Sequence, residues 1–385
     1  MKQTKIILTT MPVEGESINW TTPSYFDPTK SNPIMPLGIL SLASNLPKEI
    51  DVKILDPPSY GWSIEKTISE IEKEQPDVLG LSVTTNRIYA MTEILKKTST
   101  NYKAVGGPHA MNYSEIILNQ GADAVFVGPL ADLEFKEAIQ SKQKGIILCK
   151  TKINEIKYPK RELLDIEFYF PKKFTLFNSE NRMSMFSSLG CPNNCLYCNV
   201  QTKKMQFKDP KIVVNEMEYL YSLGSRSFHV LDDNFNIVKK HLIGILSEME
   251  KRNLISEWSG RGQTRMDLSL VKRLANTGFK RIHVGFEALD DRILNYFKKK
   301  ETVKEIEDFC REMNKYNINI LAYLIIGSPL EKKEYLKELP IKIKNLGISI
   351  PFFNILFPEP DTEYYNSLIK EKYYQKDYWK EQIKN

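Results

Sequence analysis

Strand-sized apolar runs alternate with helix-period segments along most of this chain, and no other feature of the sequence narrows the fold so far. In the first 145 residues, 5–9, 52–55, 77–83, 102–105 and 124–127 read as strands, and 36–46, 64–73, 88–97, 114–119 and 133–139 read as helices. Strands separated by helices pair in parallel, because a crossover must return the chain to the same end of the sheet. A doubly wound domain over 1–145 follows, with ligands expected at the carboxyl ends of its strands. Residues 146–182 lose this rhythm, with Pro159, Pro171 and several lysines and aromatics, and read as a connecting segment. A second series begins at Met183, with strands 183–188, 227–231, 257–265, 281–286, 318–326 and 348–355. Its helices open on recognisable caps: Asp209-Pro210, Asp267, and Thr302 with Glu305. Six βα units over 183–365 make an incomplete parallel barrel, whose chemistry belongs in the loops after the strands. The expected fold class is α/β: a Rossmann-like doubly wound domain, then a partial (β/α)6 barrel, with 366–385 as a tail packed on it.

The loop after the first strand of the second series reads Cys191-Pro192-Asn193-Asn194-Cys195-Leu196-Tyr197-Cys198, three of the chain's five cysteines. An odd total argues against a closed disulfide framework. Cys310 shares a helical face with Ile306, Phe309 and Met313 and reads as core, and Cys149 ends a strand-like run. The spacing C-x3-C-x2-C gathers soft-metal ligands. Iron–sulfur clusters are usually held by four thiolates; three would leave one iron open to an outside ligand. Structural zinc sites are closed and four-coordinate, and the nearest downstream histidine, His229, falls on a predicted strand. An electron carrier or redox sensor would also need a fourth protein ligand.

This loop, with Tyr197 just before its third cysteine and its place after the first strand of six, resembles the radical S-adenosylmethionine (SAM) superfamily. The resemblance implies a [4Fe-4S] cluster on Cys191, Cys195 and Cys198. Its open iron would be chelated by the amino and carboxylate groups of S-adenosyl-L-methionine, whose cleavage yields a 5′-deoxyadenosyl radical. Asp232 and Asp233, after the second strand, would receive the methionine amino group, or would cap the next helix. Arg265, or Arg261 on the same strand, would pair with the methionine carboxylate, the task of a planar bidentate donor. Gly285-Phe286-Glu287 resembles the family's Gly-x-Glu, with Glu287 facing the cofactor. Gly327-Ser328-Pro329-Leu330 resembles the adenine-contacting turn, with leucine at the usual second glycine. Pro358-Glu359-Pro360-Asp361-Thr362 resembles a Pro-x-Pro-Gly-Thr turn, again with its glycine replaced.

The first domain, coupled to such a barrel, resembles the cobalamin-binding half of cobalamin-dependent radical enzymes. The residues concerned are Pro36-Leu37-Gly38, the run from Pro76 to Thr84, and Val105-Gly106-Gly107-Pro108-His109. Ser82 and Thr84 would bond the cofactor's nucleotide tail, and Gly106 and Gly107 would let it lie against the sheet. Ordinary turn chemistry also favours such residues. No Asp-x-His-x-x-Gly follows the first strand, and Asp56 to Gly61 has proline at the histidine position, so cobalamin would bind without a histidine below its cobalt. His109 reads as a surface histidine or as a contact to the tail. The implied activity is cobalamin-dependent methyl transfer to an unactivated carbon or phosphinate centre; the alternative is rearrangement, cyclisation or oxidation without methyl transfer.

Net charge is +6 and is interspersed with acidic residues, so Lys298-Lys299-Lys300 reads as a solvated face. A mildly basic surface suits an acidic low-potential electron donor such as flavodoxin or ferredoxin. The substrate class expected is a small molecule or peptide; no nucleic-acid-binding module, signal peptide or second cysteine cluster is evident. The longest apolar runs are too short to span a bilayer, and a cytoplasmic location is expected.

Overall fold

The computed structural model describes residues 3–13, 33–170, 181–374 and 377–379. Six strands form the first sheet: β1 (Lys5–Thr10), β2 (Asp51–Leu55), β3 (Val78–Ser82), β4 (Tyr102–Gly106), β5 (Ala124–Val127) and β6 (Gly145–Leu148), in the order β2-β1-β3-β4-β5-β6. Every pairing is parallel. Ile6, Ile7, Leu8 and Leu79 are fully buried, as expected of strands covered on both faces, which is why they read as continuous apolar runs. The order in which strands are added to the sheet reverses between β1 and β3, the point where such folds open a crevice for ligands. The rhythm extends one strand further than the sequence suggested: the start of the expected connecting segment is β6. It is an edge strand with Ile146 40% and Leu148 66% exposed, so burial leaves little pattern to read there.

The second sheet contains β7 (Arg182–Met185), β10 (Ser227–Val230), β11 (Glu257–Gly262), β12 (Phe279–Glu287), β13 (Asn319–Ile326) and β14 (Ile350–Ile355). Each pairs in parallel with the next in the chain, and β7 and β14 are the two edges. The sheet curves into the expected partial barrel: the rings of His229 on β10 and His283 on β12 are 4.8 Å apart across β11. On a flat sheet, strands two apart lie about 9.6 Å from each other. The capping box of Thr302 and Glu305 is formed at the head of the helix Val303–Lys315. Asp209 and Asp267 accept hydrogen bonds from Lys211 and Ser269 amides as N-caps.

Three expectations change. The run 183–188 is not one strand: β7 stops at Met185, and Ser188–Leu189 (β8) pairs antiparallel with Gln206–Phe207 (β9). The third strand ends at Gly262, so Arg265 stands beyond it in a loop. The tail expected at 366–385 is divided: residues up to Tyr373 group with the second compact unit (Phe177–Tyr373), whereas Tyr374 and 377–379 group with the first (Met1–Leu176 with Tyr374–Asn385); Trp379 there is 3% exposed. Among the described residues, no helix is long and apolar enough to cross a membrane.

Candidate active site

The cysteine loop leaves the carboxyl end of β7 and is closed at its base by the β8–β9 pair. Asp232, buried after β10, holds that base: its carboxylate accepts the Ser187 amide at 2.7 Å, the Ser187 hydroxyl at 2.5 Å and the Ser188 hydroxyl at 2.6 Å. Asp233 accepts the Gly190 amide at 2.9 Å. Gly190 has φ +91°, and a Cβ there would lie 2.8 Å from the Lys204 carbonyl, so this turn requires glycine. Further along, the Leu196 amide donates to Phe297 O, the Leu196 carbonyl accepts from Tyr364 N, and Asn199 donates to Pro360 O. The loop is therefore tied to three other segments of its unit.

All five cysteines are free thiols. Cys310 is buried core as expected, and burial pushes the half-buried Cys149 thiol up to about 12. Cys195 lies close enough to Cys191 and Cys198, and Cys198 to Cys191, for those charges to act on it. Burial raises the Cys195 and Cys198 thiols, while Lys299 beside Cys195 and Lys203 beside Cys198 pull them back. Among the described residues, no three His, Cys, Asp or Glu groups are spaced to hold a single metal ion.

Glu287 ends β12 with φ +65° at a register shift in its pairing with β13. Gly285 makes this possible: a Cβ there would meet Glu287 Oε1 at 2.1 Å. Burial raises the Glu287 carboxyl, and Lys299 and the Tyr197 hydroxyl, which donates to it, act against the rise. Lys299 Nζ stands 3.9 Å from Glu287 and 3.8 Å from Glu301. Burial disfavours the Lys299 charge, yet the two carboxylates outweigh it and hold its pKa above the ordinary lysine value. The solvated-face reading thus holds for Lys298 and Lys300 only; Lys299 is turned in toward the cysteines. Tyr197 packs edge-on against Phe297 at 5.4 Å.

The remaining strand ends are less convergent. Arg265 is exposed, with Glu305 at 3.7 Å, and Arg261 donates to Leu231 O at 2.7 Å. Neither aspartate caps the helix Lys239–Lys251, whose N-cap is Val238. The Gly327 amide donates to Glu331 at 2.9 Å. Asp361, where the compared turn has glycine, keeps a left-handed φ of +61°, a conformation aspartate tolerates better than most residues.

In the first unit, Ser82 and Thr84 lie at and just after the carboxyl end of β3, next to the reversal, and the Thr84 hydroxyl donates to Asn86 at 2.8 Å. Gly107 has φ +99°, and a Cβ would sit 2.8 Å from Val83 O and 3.2 Å from Ser82 Oγ. Its small size is thus demanded by β3 itself, whereas at Gly106 the nearest atom would be an ordinary 3.7 Å away. His109 is not a surface residue: it is fully buried, its Nδ1 is 3.3 Å from Thr85 Oγ1, and burial lowers its pKa to about 3. Asp56 is a buried acceptor for Thr10 at 2.8 Å, Ser59 at 2.5 Å and Tyr169 at 2.7 Å, a structural use in keeping with the missing histidine.

Residues 185–339 match the radical SAM superfamily and residues 31–134 match the B12-binding domain. The chain therefore carries a radical SAM region and a B12-binding region. Relatives include an uncharacterized methyltransferase of Pyrococcus horikoshii, 26% identical over 85% of this chain and 77% of its own length. Another is the bacteriochlorophyllide d C-8(2)-methyltransferase of Chlorobaculum tepidum, 21% identical over 88% of this chain and 77% of the relative. Among solved structures, the radical SAM methyltransferase TsrM of Kitasatospora setae, with cobalamin and a [4Fe-4S] cluster bound, superposes with TM-score 0.71 at 17% identity. It covers 96% of this chain and 75% of that one.

Within the region matching the radical SAM model, sequence reasoning passed over Lys299 and the Ser187–Ser188 anchor. A lysine triplet conceals which member turns inward. Two-residue strands such as β8 and β9 are too short for periodicity to register.

Proposed function

We propose that this protein is a cobalamin-dependent radical SAM methyltransferase acting on a small molecule. Three mutually close thiols on a loop clasped at its base, in a chain that also carries a B12-binding domain, carry this reading. Cys191, Cys195 and Cys198 would hold the cluster. When bound, the cluster supplies the electron that cleaves S-adenosylmethionine, and cobalamin supplies the methyl group. Glu287, kept in place by Tyr197 and Lys299, is the acceptor for the methionine ammonium, and Asp233, exposed beside the loop, is a second acceptor. Asp232 acts on the loop rather than on a ligand, since its oxygens are committed to Ser187 and Ser188. Arg265 or Arg261 would take the methionine carboxylate, and the turn at Gly327 would face the adenine. In the first unit, Ser82, Thr84, Gly106 and Gly107 would line the cobalamin tail at the reversal of strand order. A low-potential flavodoxin or ferredoxin meeting the +6 surface, in the cytoplasm, completes the proposal.

Anaerobic reconstitution followed by corrinoid extraction tests it. Retention of about one cobalamin per chain, with both S-adenosylhomocysteine and 5′-deoxyadenosine formed in the presence of substrate, supports methyl transfer. Deoxyadenosine alone, with no corrinoid retained, replaces it by the non-methylating alternative.

A further inference from the structure

The inner face of the second sheet is polar, which packing alone does not require. Interiors of parallel barrels are filled mainly by Val, Ile and Leu. Here the outward positions are the apolar ones: Met183 and Met185, Phe228 and Val230, Ile282 and Val284, all buried under the helices. Alternation then turns Arg182, His229, Arg261, Arg281, His283 and Tyr323 inward. The contacts agree. His229 Nδ1 lies 2.8 Å from Ser259 Oγ, His283 Nδ1 lies 3.0 Å from the Tyr323 hydroxyl, and Tyr323 stacks on Phe352 at 5.1 Å.

These hydrogen bonds use only one nitrogen of each ring. Nε2 of His229 and of His283 has no hydrogen-bond partner among the described residues, and both rings are half-buried, so solvent reaches them. Arg261 is level with His283 in the strand register and is exposed, with a single bond from its guanidinium to Leu231 O. Below, Arg281 pairs with Glu257 at 2.9 Å, and the same carboxylate acts on Arg182. Three guanidiniums against one carboxylate leave this face with an excess of positive charge. Both imidazoles are held neutral: burial, then His283 and the nearby arginines lower His229, and burial and the same arginines lower His283 to about 4. A concentration of cations with spare donors on a partly desolvated concave face is stabilised by an incoming anion.

We propose that this inner face binds the anionic end of the substrate, a carboxylate or a phosphate, through His229, His283 and Arg261. That the ligand is a substrate rests on the radical-enzyme reading above; that an anion binds does not. The test uses the full chain, reconstituted anaerobically, with S-adenosylmethionine present and no reductant, so that the methionine carboxylate already occupies its own site. Sodium pyrophosphate and sodium malonate are titrated calorimetrically against sodium chloride of matched ionic strength. At least one probe binds saturably, and the tighter one names the anionic group. Arg261→Gln and His283→Phe each weaken binding about tenfold, the loss of one charge-assisted or ring donor, and Arg261→Lys recovers part of it. His283→Phe keeps the ring's shape and lies outside the S-adenosylmethionine contacts proposed above, so it decides the matter if Arg261→Gln disturbs that cofactor. No saturable binding to the wild type, or unchanged binding in both variants, overturns the proposal. Adding dithionite to the same preparation and measuring 5′-deoxyadenosine separates the two readings. Its absence removes the radical enzyme, while its presence without anion binding removes only the anion site.

Discussion

Replacing Asp232 by alanine should loosen the cysteine loop without touching a cysteine. The buried carboxylate takes three hydrogen bonds, from the Ser187 amide and the hydroxyls of Ser187 and Ser188. The orphaned amide costs about 1–3 kcal/mol. The Ser187 hydroxyl can turn to His241 Nε2, 3.2 Å away, so the hydroxyls and the small void add roughly 1 kcal/mol more. A total near 3 kcal/mol lowers the melting temperature of the second unit by about 6–12 °C. Asp232→Asn keeps an acceptor for the amide and should lose only about 1 kcal/mol. Burial raises the Asp232 pKa above its ordinary value. The folded chain therefore holds this proton more tightly than the unfolded chain. The associated stability is complete below the unfolded carboxylate pKa and is lost as pH rises through the folded one, so the wild type's advantage over Asp232→Asn shrinks as pH rises across that window. Calorimetric melts of the apo chain across this pH window, with iron and sulfide content after reconstitution, provide the assay. Iron loading should fall by about half or more in Asp232→Ala, since an open loop base scatters the thiols. An Asp232→Ala chain that melts within about 2 °C of wild type and loads iron normally would refute the anchoring role.

Two further predictions concern the same unit. Cys198→Ala should abolish both the cluster's visible absorbance and 5′-deoxyadenosine formation, whereas Cys310→Ala, in the core, should cost about 1 kcal/mol and leave iron content unchanged; equal iron loss in both would remove the distinction between ligand and core cysteine. Asp361 sits at φ +61°, so Asp361→Val should lower stability by about 1–2 kcal/mol while Asp361→Gly stays within about 0.5 kcal/mol, measured by urea denaturation; the opposite order would mean that side-chain contacts, not backbone conformation, govern that turn.

Particular residues show where reading the chain succeeded and where it stopped. The strands β1, β3 and β13 were legible because helices or neighbouring strands cover them and they carry apolar runs, and β12 because its apolar residues alternate with polar ones. The sixth strand of the first sheet showed as the strand-like run ending at Cys149 but not as a member of the sheet, since an edge strand is free of that constraint. Asp361 shows that a backbone turn can survive the loss of its usual glycine. Gly107 shows the converse: a glycine assigned to a ligand is required by its own neighbouring strand.

By itself the sequence determined two parallel α/β series, a triplet of cysteines at the end of the first strand of the second, and the pairing of a radical SAM region with a B12-binding region. Those properties are local: they depend on residue spacing and on which face of a helix or strand is apolar. Only the tertiary structure decided that Asp232 serves the loop, that Lys299 among three lysines lies between Glu287, Glu301 and the thiols, and that His229, His283 and Arg261 share one inner face. Those side chains come from segments up to about 110 residues apart, and it is the curvature and register of the sheet, set by packing across the whole unit, that bring them together.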